Sequence, residues 1–99
     1  MIPLFTDYHD DFGGALTCPS CKSENLHHDK VEVFECGEDA TYGVHVTLEN
    51  GKAIVDTSLE GNPSLRRHGL KIEFWCEGCG NRSILRLHQH KGTTYIDIK

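Results

Sequence analysis

Two cysteine pairs carry the clearest chemistry in this sequence. Cys18 and Cys21 form one CxxC pair, and Cys76 and Cys79 form a second. A CxxC spacing places two thiolates on one turn, where both reach the same ion, and four thiolates complete the tetrahedral set that structural zinc prefers. We therefore predict one Zn²⁺ bound by these four cysteines. Because four protein ligands leave no open coordination position, this zinc is expected to be structural and not hydrolytic.

The two pairs resemble the knuckles of zinc-ribbon proteins, in which CPxC and CxxCG turns bind one zinc ion. Here they read Cys18-Pro19-Ser20-Cys21 and Cys76-Glu77-Gly78-Cys79-Gly80. Lys22 stands where the first knuckle often has glycine, and 54 residues (22–75) separate the pairs; the simple pattern has about 15 to 20. The chain also resembles, more weakly, small bacterial or phage proteins without an assigned activity, which implies no function.

Cys36 is the fifth cysteine, and an odd number leaves one thiol over in a disulfide framework. We interpret Cys36 as a small buried apolar residue at a strand end, with an additional ligand or a redox-sensitive thiol as alternatives. A thiol-redox CxxC remains open for the pairs, although that motif normally belongs to a βαβ unit that this sequence lacks. Iron or a disulfide also remains open.

Length and composition predict a single small domain. A chain of 99 residues with 37% hydrophobic residues buries only about 60 to 68% of its unfolded surface, so a metal would add needed stability. We predict a loosely ordered acidic N-terminal arm over 1–16 and one zinc-stabilised β domain over 17–99. No secretory leader or membrane-spanning apolar run is evident, and paired cysteines that hold metal suit a reducing cytoplasm.

The strand pattern predicts an all-β, zinc-ribbon-like fold with an inserted antiparallel hairpin sheet, a C-terminal β-hairpin packed behind it, and little helix. Asn50-Gly51 is typical of a type I′ hairpin turn, and Lys91-Gly92 marks a second hairpin. The 57–69 connector fits about one helical turn. The first hairpin places five apolar side chains on one face, which we expect to be core: Val44, Val46, Leu48, Ala53 and Val55.

Two further strands follow from alternation of apolar and polar residues. Leu26 to Cys36 is predicted as a strand with Val31 and Val33 inward and Glu32 outward. Leu70 to Cys76 alternates in the same way and leads directly into the second cysteine pair.

Basic residues cluster in the 66–91 segment, which carries six basic and two acidic residues, or +4, in a chain of net charge −5. Arginine offers forked donors for phosphate or carboxylate, and an adjacent aromatic ring could stack on a base. The acidic total disfavours non-specific nucleic-acid binding. The candidate binding surface consists of Arg66, Arg67, His68, Lys71 and Trp75.

No nucleophile, base and orienting group stand at a recognisable spacing, so we do not expect an enzyme. Seven histidines, among them His27-His28, His88 and His90, leave a second metal site as a minor alternative. The sequence thus favours a small structural-zinc module that acts as a protein-interaction adaptor or regulator, as a monomer or weak dimer, with no membrane partner. The alternatives are a nucleic-acid-binding zinc ribbon that uses the 66–91 segment and a CxxC thiol redox protein.

Overall fold

The computed structural model describes residues 12–38 and 40–99, so most of the predicted N-terminal arm lies outside the described residues. The six strands are all antiparallel to their neighbours and form one sheet of order β3-β2-β1-β4-β5-β6. Their bounds are β1 (Leu26–Glu35), β2 (Val44–Glu49), β3 (Lys52–Asp56), β4 (Gly69–Cys76), β5 (Arg82–His90) and β6 (Thr93–Ile98). The all-β prediction is confirmed, since no helix occurs in the described ranges.

Both predicted hairpin turns are confirmed. Asn50 and Gly51 adopt φ of 55° and 74°, and Lys91 and Gly92 adopt φ of 50° and 79°. Two consecutive left-handed residues match the twist of the flanking strands in a two-residue hairpin loop. The predicted registers follow from these turns, with Leu48 opposite Ala53 in the first hairpin and Arg86 opposite Asp97 in the second.

The C-terminal hairpin extends the sheet, and the prediction that it packs behind was wrong. β5 pairs with β4 through Ile72 and Leu85, so β5 and β6 continue the same layer. In the described part of the chain, the backbone of each strand approaches only the backbones of its neighbours within the sheet. Hydrogen bonding between β4 and β5 is favoured because the second cysteine turn joins them directly and places them side by side.

Alternation of side chains divides this sheet into two faces of different chemistry. The polar face carries Glu32, Lys71 and Arg86. The apolar face consists of two rows that cross all six strands: Ile98, Leu85, Ile72, Val31, Leu48 and Ala53, then Ile96, Leu87, Leu70, Val33, Val46 and Val55.

The predicted core of the first hairpin lies on the apolar face but is not buried. Leu48 is 45% exposed and Val55 is 66% exposed. Val33, predicted inward, is also exposed, whereas the Glu32 side chain is only 13% exposed. The expected orientation was therefore wrong because the pattern identifies side chains that share a face without showing what covers that face.

The buried centre lies instead where β1 leaves the sheet. Phe34 points to the polar face and is 1% exposed, and Cys36 is buried just after the strand, as predicted. The 57–68 connector joins β3 to β4 and reaches this region, where the Cys36 backbone amide donates to Nδ1 of His68 at 2.9 Å. The predicted helical turn was wrong, since the connector contains turns and bends but no helix. The Asn62 side chain accepts from the Ser64 amide at 3.1 Å, and Ser64 Oγ in turn accepts from the Arg67 amide at 3.0 Å.

Candidate metal centre

The sheet brings the two cysteine pairs to one end of β1 and β4. The second pair occupies the turn of the β4–β5 hairpin, and the first pair immediately precedes β1. Leu26 at the start of β1 lies opposite Cys76 at the end of β4, and the Glu77 amide donates to the Asn25 carbonyl at 3.0 Å. Antiparallel pairing of these strands therefore closes the long separation between the pairs.

The four sulfur atoms form one compact cluster. Sγ of Cys18 lies 3.7 Å from Sγ of Cys79, and Sγ of Cys21 lies 3.5 Å from Sγ of Cys76. All four ligand atoms lie within 4.8 Å of one another. Sulfurs placed at about 2.3 Å around a tetrahedral ion would be about 3.8 Å apart. The cluster therefore has dimensions at which the four cysteines could hold a metal ion.

The two knuckles, defined as residues 18–23 and 76–81, share one backbone conformation. The Lys22 amide donates to the Cys18 carbonyl at 2.9 Å, and the Gly80 amide donates to the Cys76 carbonyl at 2.8 Å. Lys22 has φ of 68° and Gly80 has φ of 74°. Lys22 thus adopts the same left-handed conformation as Gly80. The first knuckle therefore keeps the zinc-ribbon-like turn geometry although it has lysine where glycine is common.

Each knuckle contains one buried and one exposed cysteine. Cys18 and Cys76 are buried, while Cys21 and Cys79 are exposed. The backbone N–H of Cys21 lowers the pKa of Cys18 to about 6, and the backbone N–H of Cys79 likewise lowers the pKa of Cys76. The first cysteine of each knuckle therefore ionises to a thiolate at lower pH than an ordinary cysteine.

The exposed cysteines show the opposite tendency. The backbone N–H of Asn81 acts to lower the pKa of Cys79, but desolvation and the three neighbouring sulfurs outweigh it and raise that pKa to about 12. Four thiolates cannot ionise together at this spacing without a compensating charge. A divalent cation would supply that charge and would stabilise all four thiolates at once.

Aromatic and charged side chains flank the cluster on the neighbouring strands. The rings of His27 and Trp75 stack with centroids 4.7 Å apart, and Nε2 of His27 lies 3.2 Å from a carboxylate oxygen of Glu77. Arg82 donates to Asp29 at 2.6 Å across β1 and β5. Trp75 remains 39% exposed despite its stacking.

The residues of the candidate binding surface are divided between the connector and β4. Arg66, Arg67 and His68 lie in the connector, while Lys71 and Trp75 lie on β4. Four residues along a strand place the latter two about 13 Å apart.

Two basic groups of this surface have acidic partners. Arg67 lies 3.2 Å from Glu38, and Nζ of Lys71 lies 3.3 Å from Glu32. Whether this surface binds anything stays a prediction.

One catalytic-like arrangement escaped the sequence reasoning. Oγ1 of Thr47 lies 3.2 Å from Nε2 of His45, and Nδ1 of His45 lies 2.9 Å from Asp56. Only pairing of β2 with β3 reveals it, since His45 lies opposite Asp56. The His45 ring stacks on Phe34 with centroids 4.3 Å apart, and three recesses of about 290, 310 and 480 Å³ are lined by residues other than Thr47, His45 and Asp56. We therefore regard the arrangement as part of the packing around Phe34.

The histidines that the structure describes do not form a second metal-ligating cluster. Among the described residues, only the four cysteines bring three or more metal-ligating side chains together. Nε2 of His88 lies 3.8 Å from Asp97, while His90 is exposed at the end of β5.

The chain was compared with protein-family models, curated proteins and solved structures, and none of the three comparisons found a match. A search of the described residues found no helix with the length and apolar character needed to cross a membrane.

Proposed function

We propose that the protein binds one structural Zn²⁺ through Cys18, Cys21, Cys76 and Cys79 and acts as a small cytoplasmic adaptor or regulator by contact with a partner protein. The observation that supports this proposal is the four-sulfur cluster, whose closest separations match those of a tetrahedral site. All four positions are filled by protein sulfur, so the ion has no site at which to activate water. The metal then stabilises the fold, and binding of the partner protein is a property of the protein surface.

Zinc suits the donor set and the size of the protein. A tetrahedral set of thiolates selects zinc or iron, and zinc imposes no geometry of its own. Structural zinc contributes an apparent binding free energy of about 10 to 16 kcal/mol to folding. That contribution is large for a sheet whose fully buried side chains are few, since the largest are Phe34, Cys18 and Cys76.

Elemental analysis of purified protein tests the metal, with one zinc expected per chain. Replacement by Co²⁺ should give the absorption of a tetrahedral thiolate complex. The Cys18→Ser/Cys79→Ser double variant should lose both the zinc and the folded circular dichroism spectrum. Ser20→Ala lies in the same knuckle without supplying a ligand and is the matched control. A wild-type protein that is free of metal and a double variant that stays folded would contradict the site.

The adaptor role is tested separately by affinity capture with zinc-loaded protein. Partners should survive nuclease treatment and be lost when Trp75, exposed beside the metal centre, becomes Ala. Capture of nucleic acid alone, or of the same partners by the Trp75→Ala variant, would contradict the role without affecting the metal assignment.

The nucleic-acid alternative is less well supported, because basic residues of the 66–91 segment already form ion pairs with carboxylates of the same chain. Arg67, Lys71, Arg82 and Arg86 each lie within 4.0 Å of a carboxylate. Binding that weakens steeply with salt and falls in an Arg66→Ala/Arg67→Ala variant would nevertheless favour it. The thiol-redox alternative requires a folded metal-free protein that cycles a disulfide, which chelation followed by thiol titration would detect.

A further inference from the structure

The apolar face is an exposed surface that the metal centre does not explain. Its two rows of six residues contain no charged or polar side chain. Exposure is high at the β3 edge, at the β6 edge and in between, as Val55, Ile96 and Val33 show. In the described part of the chain no strand packs across this face.

A sheet with one apolar face is normally one of two packed layers, because burial of that face drives folding. Charged side chains of the polar face pair with one another. Glu32 contacts Lys30 at 3.1 Å and Lys71 at 3.3 Å, and Arg86 makes two hydrogen bonds to Asp97. Among the residues that the structure describes, the face that lacks a second layer is therefore the apolar one.

We propose that the apolar face packs against the same face of a second copy of the chain, so that two sheets form a β-sandwich dimer. The net charge of −5 makes two copies repel each other at long range. The two rows bring no like charges together, so this face suits an isologous contact between identical surfaces. Two sheets can approach face to face to about 10 Å while their side chains interdigitate.

The two apolar rows supply somewhat more than half of the area that one partner contributes to a standard dimer interface. Six strands spaced by about 4.8 Å and five residues of about 3.4 Å each cover roughly 29 by 17 Å, or about 500 Å² before side-chain relief is counted. A standard interface buries about 800 Å² per partner, and a polar rim supplies part of it. Here Glu35, Gln89 and Thr94 border a recess of about 480 Å³ next to Val33 and Leu87. Side chains of the second copy can enter this recess.

Two adjacent residues of β3 provide a matched test. Val55 is 66% exposed on the apolar face and Ile54 is 59% exposed on the polar face. Sedimentation equilibrium of the full-length, zinc-loaded protein should show a species of twice the chain mass of 11.1 kDa as concentration rises. Val55→Lys should weaken dimerisation about tenfold or more, while Ile54→Lys should leave it unchanged. Leu48→Lys, nearer the centre of the face, provides a second variant if Val55→Lys fails to fold.

Intermolecular NOEs in a mixture of ¹³C-labelled and unlabelled wild-type protein locate the contact without any substitution. Methyl groups of Val33, Leu48 and Leu87 should show cross-peaks to the other copy. A wild-type monomer at all concentrations would overturn the proposal and indicate that the face is open or covered by the same chain. Equal weakening by Ile54→Lys and Val55→Lys, or a dimer without these cross-peaks, would also overturn it and indicate pairing through sheet edges.

Discussion

The two ends of the sheet are held together by different means. At the metal end, where β1 begins and β4 ends, four sulfur atoms from two knuckles converge. At the connector end, Phe34 and Cys36 are buried, and the connector is fixed by hydrogen bonds such as that from Ser64 Oγ to the Gln89 carbonyl at 2.8 Å. With the proposed zinc ion bound, one end depends on the ion and the other on packing and neutral hydrogen bonds. Substitutions of the same chemical kind should have different effects at the two ends.

The largest difference is expected between two buried cysteines. Cys76→Ser at the metal end removes a ligand from a site whose apparent contribution of about 10 kcal/mol or more rivals the whole stability of a small domain. Cys36→Ser at the connector end keeps a hydrogen-bond donor, since Sγ of Cys36 already donates to the Gly37 carbonyl at 3.1 Å. We expect the first variant to be unfolded at 25 °C and the second to lose about 1 to 2 kcal/mol with unchanged zinc content.

Circular dichroism, urea unfolding and zinc analysis of both variants check this difference. Similar losses in the two variants would show that the metal end is not the principal source of stability.

Packing at the connector end sets the next largest effect. Phe34→Ala removes a fully buried ring that stacks on His45 and lies 5.9 Å from Nζ of Lys71. We expect a loss of about 3 to 5 kcal/mol, measured by urea unfolding of the zinc-loaded protein. Ile54→Ala on the same face is the control and should cost well under half as much, because Ile54 is largely exposed. A loss at Phe34 no larger than at Ile54 would contradict the assignment of the buried centre.

The sequence predicted the metal end better than the connector end. The residues at the hairpin turns set the strand registers through short-range geometry, so the registers followed from local rules. The convergence of the two cysteine pairs was predicted from the preference of zinc for four thiolates, although the pairing of β1 with β4 brings them together. Phe34 and the connector depend on contacts between residues far apart in sequence, such as Cys36 with His68. Neither the burial of Glu32 nor the exposure of Val33 could be derived from the sequence. The alternation of apolar and polar residues shows which side chains share a face of the sheet, but it does not show which face is packed against other parts of the chain.

A smaller effect separates the two knuckles themselves. Lys22 and Gly80 share a left-handed conformation, which costs a residue with a Cβ atom roughly 1 kcal/mol. Gly80→Ala should therefore destabilise the zinc-loaded protein by about 1 kcal/mol, and Lys22→Gly should stabilise it by a similar or smaller amount. Thermal unfolding at fixed zinc concentration measures both. Destabilisation by Lys22→Gly would show that the lysine side chain has a role that the shared backbone geometry does not reveal.

The smallest predicted effect concerns an ion pair that belongs to neither end. Arg86 on β5 lies opposite Asp97 on β6 and donates to its carboxylate at 2.8 and 2.7 Å. The hydrogen bonds from Arg86 lower the pKa of Asp97 below its ordinary value, against a partly opposing effect of desolvation. Because both side chains are about a third exposed, solvent screening limits the pair to about 0.2 to 1 kcal/mol. An Arg86→Gln/Asp97→Asn double-mutant cycle measures the coupling.

The pH dependence of this coupling follows from the direction of the pKa shift. A carboxyl group whose pKa is lowered by folding contributes its stability above the unfolded pKa of about 3.9 and loses it as pH falls through the lower folded value. The coupling should therefore stay constant between about pH 6 and 8, where the metal-binding thiolates also remain ionised in the zinc complex. A coupling that fades within this range would contradict the assignment, because the pKa of Asp97 is lowered and its carboxylate stays ionised throughout it.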